Sequence, residues 1–165
     1  MTKLKTLVNR HERTEYNQIR LAGLSSEGAE ADRIACMVLA VAYSRFHGRS
    51  QSLIQMGCVA ACFVGNDIWL ASNNVNILPE DIDNALGDTY TNRTVCVVTN
   101  GGGHMHAEMQ LVEELRGEGH LCKDMYMGVS KPCCEQCKRV LDELGMKYLH
   151  YHTDTVVNWE TPYYL

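Results

Sequence analysis

Two short segments of the chain carry side chains that commonly bind metals. The first, GHMHAE at residues 103–108, contains two histidines and a glutamate. The second, SKPCCEQC at residues 130–137, contains three cysteines. Imidazole nitrogen and thiolate sulfur are the ligands that zinc prefers in proteins. The sequence therefore predicts that the two segments share one metal ion.

The spacing of the candidate ligands favours three of them. Cys134 and Cys137, at i and i+3, lie on one side of a helical turn, and with His106 they supply three ligands of a tetrahedral zinc site whose fourth position stays open for water. Cys133 could pair with Cys137 instead, but two residues are the commoner spacer in zinc sites. His104, in a glycine-rich loop, fits a solvated or supporting histidine better than a ligand.

Glu108 is unusual because it lies on the apolar face of its own predicted helix. That helix spans about 106–116, and Leu111, Val112 and Leu115 follow Glu108 at i+3, i+4 and i+7. An unpaired carboxylate on a buried face is costly, so its presence indicates a role at the site. A single Cys-x-x-Cys also occurs in protein cores and redox sites, and a single His-x-Glu is weak evidence for a metal site. The combination of the two motifs supports the prediction of a metal site.

Helices and strands that would position these residues alternate along the chain. The patterns predict a helix from Glu27 to about Gly48, a hairpin of strands at 52–64 and 67–72, one helical turn after Pro79, and a short buried segment at 94–100. They further predict helices at 106–116 and 133–144, a strand at 124–129, and closing strands at 147–152 and 155–160. The two closing strands are separated by too few residues for a parallel crossover, so they are predicted to be antiparallel.

Length and composition predict one folded domain. The chain has 165 residues, 45% of them hydrophobic, and we expect one domain at 29–165 preceded by an extension or connector at 1–28. No signal peptide and no membrane-spanning run of about 18 apolar residues is visible. The net charge of −5 argues against a long polynucleotide footprint.

Four of the eight cysteines occur in apolar segments, where a thiol behaves as a small hydrophobic side chain. These are Cys36, Cys58, Cys62 and Cys96. We predict that they are reduced core residues, which is typical of a protein that acts in the cytoplasm or another reducing compartment.

The combination of HAE at 106–108 with CEQC at 134–137 resembles the zinc-dependent nucleobase deaminase superfamily, whose signature is His-x-Glu followed by Pro-Cys-x-x-Cys. The order of predicted elements is similar to that fold across about residues 29–158. The segment VSKPCCEQC resembles the corresponding motif of the bacterial toxin-type deaminases more than that of the housekeeping cytidine deaminases. One departure is Cys133, inserted after Pro132, and it leaves open which backbone carbonyl of 130–133 faces a substrate.

The resemblance implies an α/β fold of α-β-α layers, with a mixed central sheet of about five strands and antiparallel final strands. It implies that His106, Cys134 and Cys137 hold a zinc ion that activates water, and that Glu108 moves protons to the ring nitrogen and the departing amine. It further implies that an asparagine at the end of the second hairpin strand binds the substrate. Asn74 is the first choice and Asn73 a close alternative, and Ala107 is a further substrate-binding residue.

Three functions compete at this point. The first is deamination of cytosine in nucleic acid, preferably single-stranded, by a toxin-like effector that would have an immunity protein as partner. The second is deamination of free cytidine or deoxycytidine compounds, and the third a non-catalytic zinc-stabilised domain, which would need neither Glu108 nor an open coordination position.

Local phosphate contacts are predicted for Arg49, Lys131, Lys138 and Arg139. Trp69 and Phe63 are either base-stacking platforms or, more in keeping with apolar strands, core residues.

Overall fold

The structure is a computed structural model. It describes residues 26–44, 57–73, 76–87, 89–90, 93–98, 105–120, 122–153, 159 and 161–162. Most of the predicted N-terminal extension lies outside these ranges, so its boundary stays a prediction.

A mixed sheet lies at the centre of the described part of the chain. Its strands are β1 (Cys58–Val64), β2 (Asp67–Asn73), β3 (Val95–Val97) and β4 (Gly128–Val129), in the order β3-β2-β1-β4. β1 pairs antiparallel with β2 and with β4, whereas β2 and β3 run parallel. Gly65 closes the predicted hairpin with a φ of 58°, a left-handed conformation that glycine adopts without strain.

Four helices flank the sheet among the described residues. They are α1 (Ser26–Tyr43), α2 (Pro79–Leu86), α3 (Ala107–Gly117) and α4 (Glu135–Leu144). α1, α3 and α4 confirm predicted helices. α2 has eight residues, longer than the single turn that the sequence predicted. Pro79 is the first residue of α2, and the Leu78 N–H donates to Asp81 Oδ2 at 2.8 Å. Both features stabilise the first turn of the helix. The sequence predicted a shorter helix because the apolar residues of this segment show only a weak helical period.

The strands alternate their side chains between two layers of helices. One face packs against α3 and α4, through Ala60, Cys62, Trp69 and Ala71. The opposite face packs against α1 and α2, through Val59, Ala61, Ile68 and Leu70. This two-residue period buries both faces, and the arrangement confirms the predicted mixed α/β fold of α-β-α layers.

The sheet has four strands in the described residues, where about five were predicted. Segment 147–151 contacts the outer edge through isolated parallel bridges, Tyr126 to Lys147 and Cys133 to Tyr151, instead of a continuous ladder. The strand predicted at 124–129 is also shorter, because only Gly128 and Val129 pair with β1 and Asp124 has a φ of 67°, outside extended backbone. The predicted antiparallel pairing with 155–160 falls mostly outside the described residues.

All eight cysteines are free, as expected of reduced thiols. Cys36 and Cys62 are buried, whereas Cys58 and Cys96 are only partly buried. No helix in the described ranges combines the length and apolar character that crossing a membrane requires.

Gly128 lets α1 approach the edge of the sheet. A Cβ at this position would lie 2.3 Å from the carbonyl carbon of Ala31, which is backbone and cannot move aside. Next to it, the Val129 N–H donates to Asp32 Oδ1 at 2.8 Å, which fixes the helix against the strand. The short distance between α1 and β4 therefore depends on the missing side chain.

We expect Gly128→Ala to lower the free energy of unfolding by about 3 kcal/mol or more, the upper range for overpacking in a core. Chemical denaturation of the purified variant measures this loss. Gly119→Asn is the matched control, since no described atom lies within 4 Å of its Cβ position and asparagine tolerates the positive φ. Equal stability of Gly128→Ala and the wild type would contradict the close packing.

Candidate metal centre and active site

The candidate ligands stand at the starts of two neighbouring helices. His106 precedes α3 with φ −63° and ψ 155°, and Cys134 precedes α4 with φ −72° and ψ 168°. In this extended conformation each residue acts as the helix N-cap. The Cys134 Sγ accepts the Cys137 N–H at 3.5 Å, so the first turn of α4 presents both cysteines to one point, as the spacing predicted.

The three predicted ligand atoms converge. The His106 Nδ1 lies 3.5 Å from Cys134 Sγ and 3.4 Å from Cys137 Sγ, and all three atoms lie within 4.8 Å of one another. Zinc–sulfur bonds of about 2.3 Å and a zinc–nitrogen bond of about 2.05 Å at tetrahedral angles would separate nitrogen and sulfur by about 3.6 Å. The distances and the donor types therefore fit a tetrahedral metal ion. In the described parts of the chain, no second group of three such residues converges in this way.

The protonation of the three groups also suits a cation. A hydrogen bond from the Cys137 thiol, assisted by His106, lowers the pKa of Cys134 to about 4, although burial opposes this. The same shared proton raises the pKa of Cys137. The hydrogen bond to Cys134 raises the pKa of His106. Metals bind deprotonated thiolates and neutral imidazole, so a cation would displace the protons of these side chains.

Glu108 lies in the first turn of α3, directly after Ala107, and only 3% of its surface is exposed. Burial raises the pKa of its carboxyl group, while the Glu108 amide, His106 and the Cys133 thiol partly offset the shift. The carboxylate therefore lies beside the converging group, two residues from one candidate ligand and in contact with Cys133, the residue before another.

Cys133 is not part of the converging group, which agrees with the choice of Cys134. Its N–H donates to the His150 carbonyl at 3.2 Å, and its carbonyl accepts the His152 N–H at 2.8 Å. The side chain is fully buried and contacts Glu108. This contact is not visible in the sequence, because nothing in the motif shows that adjacent cysteines point to different groups.

Trp159 is a second residue that the sequence did not reveal. Its indole Nε1 donates to Cys137 Sγ at 3.3 Å, across 22 residues of sequence. The ring is partly buried against the cluster formed by α3 and α4. No periodic pattern could have indicated this contact, since it joins two distant segments.

The predicted substrate-binding residues are only partly described. Asn73 ends β2 and is half-buried. Gln110 of α3 donates to the Ser72 carbonyl at 3.0 Å and to the Met105 carbonyl at 2.9 Å, which holds the end of β2 beside the start of α3. Ala107 is fully buried beneath the first turn. Asn74 and His104 lie outside the described residues.

The two aromatic candidates are placed away from the converging ligands. Trp69 contacts His120 edge-to-face at 5.2 Å, at the opposite end of α3 from His106. Phe63 lies at the hairpin, with Arg93 5.1 Å from its ring centroid. Both residues therefore belong to the packing of the hairpin and its surroundings.

Two of the four predicted phosphate contacts are engaged in ion pairs on α4. Lys138 Nζ lies 2.9 Å from Asp142, and Arg139 Nε lies 3.4 Å from Glu135. Lys131 is half-buried next to Pro132, and Arg49 lies outside the described residues. The neighbouring carboxylates reduce the positive potential that α4 offers to a phosphate.

Fold and site together define a mixed α/β protein in which two helix N-termini bring one histidine and two cysteines together beside a buried glutamate. Residues 105–163 match the model of the OTT_1508_deam-like deaminase family. This segment contains every candidate ligand, Glu108 and Trp159. The match to this part of the chain supports a deaminase family, and the His/Cys/Cys arrangement fits the zinc-dependent deaminase superfamily that the motifs resemble. No curated protein and no solved structure shows significant similarity to the chain.

Proposed function

We propose that the protein is a zinc-dependent hydrolytic deaminase that converts cytosine to uracil. The observation that carries this proposal is the burial of Glu108 beside three converging ligand atoms. A structural zinc site normally closes with four protein ligands and needs no carboxylate. Three ligands with a proton-transferring group next to an open position are the requirements of hydrolysis.

In this mechanism His106, Cys134 and Cys137 would hold a zinc ion, which when bound would act as a Lewis acid and make water nucleophilic at neutral pH. Glu108 accepts a proton from the attacking water, delivers it to the ring nitrogen of the base, and transfers the second proton to the departing amine. Water and cytosine thus give uracil and ammonia, and the carboxylate is regenerated. Cys133 contacts the carboxylate from the side of α4 and limits the positions it can adopt.

The substrate that we favour is cytosine in single-stranded nucleic acid. Tyr151 pairs with Cys133, the residue before a proposed ligand, and the residue is 44% exposed. Lys138 Nζ lies 4.8 Å from the Tyr151 ring centroid. An exposed aromatic ring beside a cation suits a base that flanks the target, since base stacking is sequence-tolerant and needs few phosphate contacts. In this proposal the enzyme is a toxin-like effector, with an immunity protein as its partner.

Free cytidine or deoxycytidine compounds are the alternative substrate class. The net charge of −5 and the ion pairs of Lys138 and Arg139 favour it, because phosphate contacts supply most of the non-specific affinity for a polynucleotide.

A substrate panel separates the two classes. The enzyme is given a single-stranded DNA oligonucleotide, duplex DNA, RNA, cytidine, deoxycytidine and their phosphates at equal cytosine concentration, and uracil formation is measured. We expect the single-stranded oligonucleotide to be converted fastest. Tyr151→Ala should then lower kcat/KM about tenfold more for the oligonucleotide than for cytidine, within the range for loss of one stacked base. Rapid turnover of the monomers with untouched oligonucleotides would refute the preferred substrate.

A further inference from the structure

The segment near the C-terminus contributes a hydrogen-bond donor to the candidate metal centre. Trp159 Nε1 points at the Cys137 sulfur at 3.3 Å, while the ring packs against the cluster formed by α3 and α4. Cys137 itself is fully buried. Because water does not reach this sulfur, no solvent donor could replace the indole N–H if it were lost.

The direction of this hydrogen bond matches the charge of a metal-binding thiolate. An indole N–H can only donate, and a thiolate is a better acceptor than a thiol. A donor that fixes the position of a ligand sulfur also restrains the geometry of the site. The contact thus holds the Cys137 sulfur in one position within the converging group.

Packing alone does not account for the orientation of Trp159. The chain has two tryptophans, and the other, Trp69, packs against the same cluster. The buried Nε1 of Trp69 meets no acceptor among the described residues. Among the described residues Trp69 thus provides packing contacts only, whereas Trp159 adds a directed hydrogen bond to a candidate ligand.

We propose that Trp159 is a positioning residue of the metal centre, whose indole N–H holds the Cys137 sulfur for metal binding and couples the C-terminal segment to the metal. The inference rests on the metal centre of the proposed function, but not on its substrate or reaction. By thermodynamic reciprocity, an N–H that strengthens metal binding makes the bound metal strengthen the docking of Trp159 by the same factor.

The test compares Trp159→Phe, which keeps an aromatic ring but removes the N–H, with the matched control Trp69→Phe. Zinc affinity of the full-length proteins is measured by competition with a chromophoric chelator. We expect Trp159→Phe to bind zinc about 10–100-fold more weakly, as is typical when a partner of a metal ligand is lost. The affinity of Trp69→Phe should equal that of the wild type.

Cobalt(II) supplies a spectroscopic readout that a packing role would not change. A hydrogen bond to sulfur withdraws electron density, so its removal in Trp159→Phe should shift the thiolate-to-cobalt charge-transfer band to lower energy. In the Trp69→Phe protein, Trp159 is the single remaining tryptophan, and cobalt binding should quench its fluorescence strongly. This second measurement needs no change at Trp159 and works even if Trp159→Phe fails to fold.

The outcomes separate this inference from the proposed function. Weaker zinc binding, a shifted band and quenched fluorescence would support the positioning role. Unchanged affinity and an unchanged band in Trp159→Phe would overturn it while leaving the metal centre intact, and so would unquenched Trp159 fluorescence in a cobalt-loaded Trp69→Phe protein. A wild-type protein that binds neither zinc nor cobalt would overturn the metal centre and this inference together.

Discussion

Glu108→Gln is expected to give a folded protein that still binds zinc but deaminates its substrate at least about 10²–10⁴-fold more slowly, the usual contribution of general acid–base catalysis. Glutamine has nearly the same shape as glutamate and fits a position of which 3% is exposed, but it cannot accept and deliver protons. Turnover under saturating substrate, zinc content and the unfolding midpoint measure the three parts of this prediction.

Glu114→Gln is the matched control for that experiment. It makes the same chemical change on the same helix at an exposed position, and we expect full activity. Residual activity of Glu108→Gln within about tenfold of the wild type would contradict the proton-transfer role. Loss of zinc from Glu108→Gln would instead show that the carboxylate is a ligand.

The second large effect is expected at the cysteine ligands. The wild type should contain about one zinc ion per chain, and Cys134→Ala or Cys137→Ala should lose it, because two remaining ligands cannot complete a tetrahedral site. Both variants should also lose solubility, since the metal would join α3 to α4. Metal analysis of the purified proteins by mass spectrometry measures the zinc content.

Cys133→Ala is the control that distinguishes the two cysteines that precede α4. It removes a buried thiol that contacts Glu108 but does not belong to the converging group. We expect it to keep its zinc and to stay soluble. If Cys133→Ala loses zinc while Cys134→Ala keeps it, the ligand assignment is wrong.

The convergence of His106, Cys134 and Cys137 could be predicted from sequence because the signals are local. Cys134 and Cys137 lie within one helical turn, and the apolar period of residues 106–116 placed His106 at the start of α3, which begins at Ala107. The same apolar period placed Glu108 on the buried face of that helix, where a charged residue is unusual and therefore indicated a role. The distances between the His106 nitrogen before α3 and the two cysteine sulfurs at the start of α4 are known only from the structure.

The contacts that support the site could not be predicted, because they join distant segments. Trp159 reaches Cys137 across 22 residues, and no pattern in either segment refers to the other.

The strand at 124–129 was overestimated because strand pairing also depends on contacts between distant segments. Propensity suggested extended backbone, but pairing depends on the neighbours, and only Gly128 and Val129 find a continuous partner in β1.

The separation of the ligands along the chain has a consequence for folding. His106 and Cys134 are 28 residues apart, so an ion held between them would close a long loop in the way a covalent cross-link does. By the chain-entropy relation for cross-links, closing a loop of this length restricts the unfolded ensemble by about 3–4 kcal/mol, a substantial fraction of the roughly 5–15 kcal/mol that stabilises a typical domain. A bound metal would then set how much of the protein is folded as well as what it catalyses, and the supply of zinc would control the abundance of the enzyme in addition to its activity.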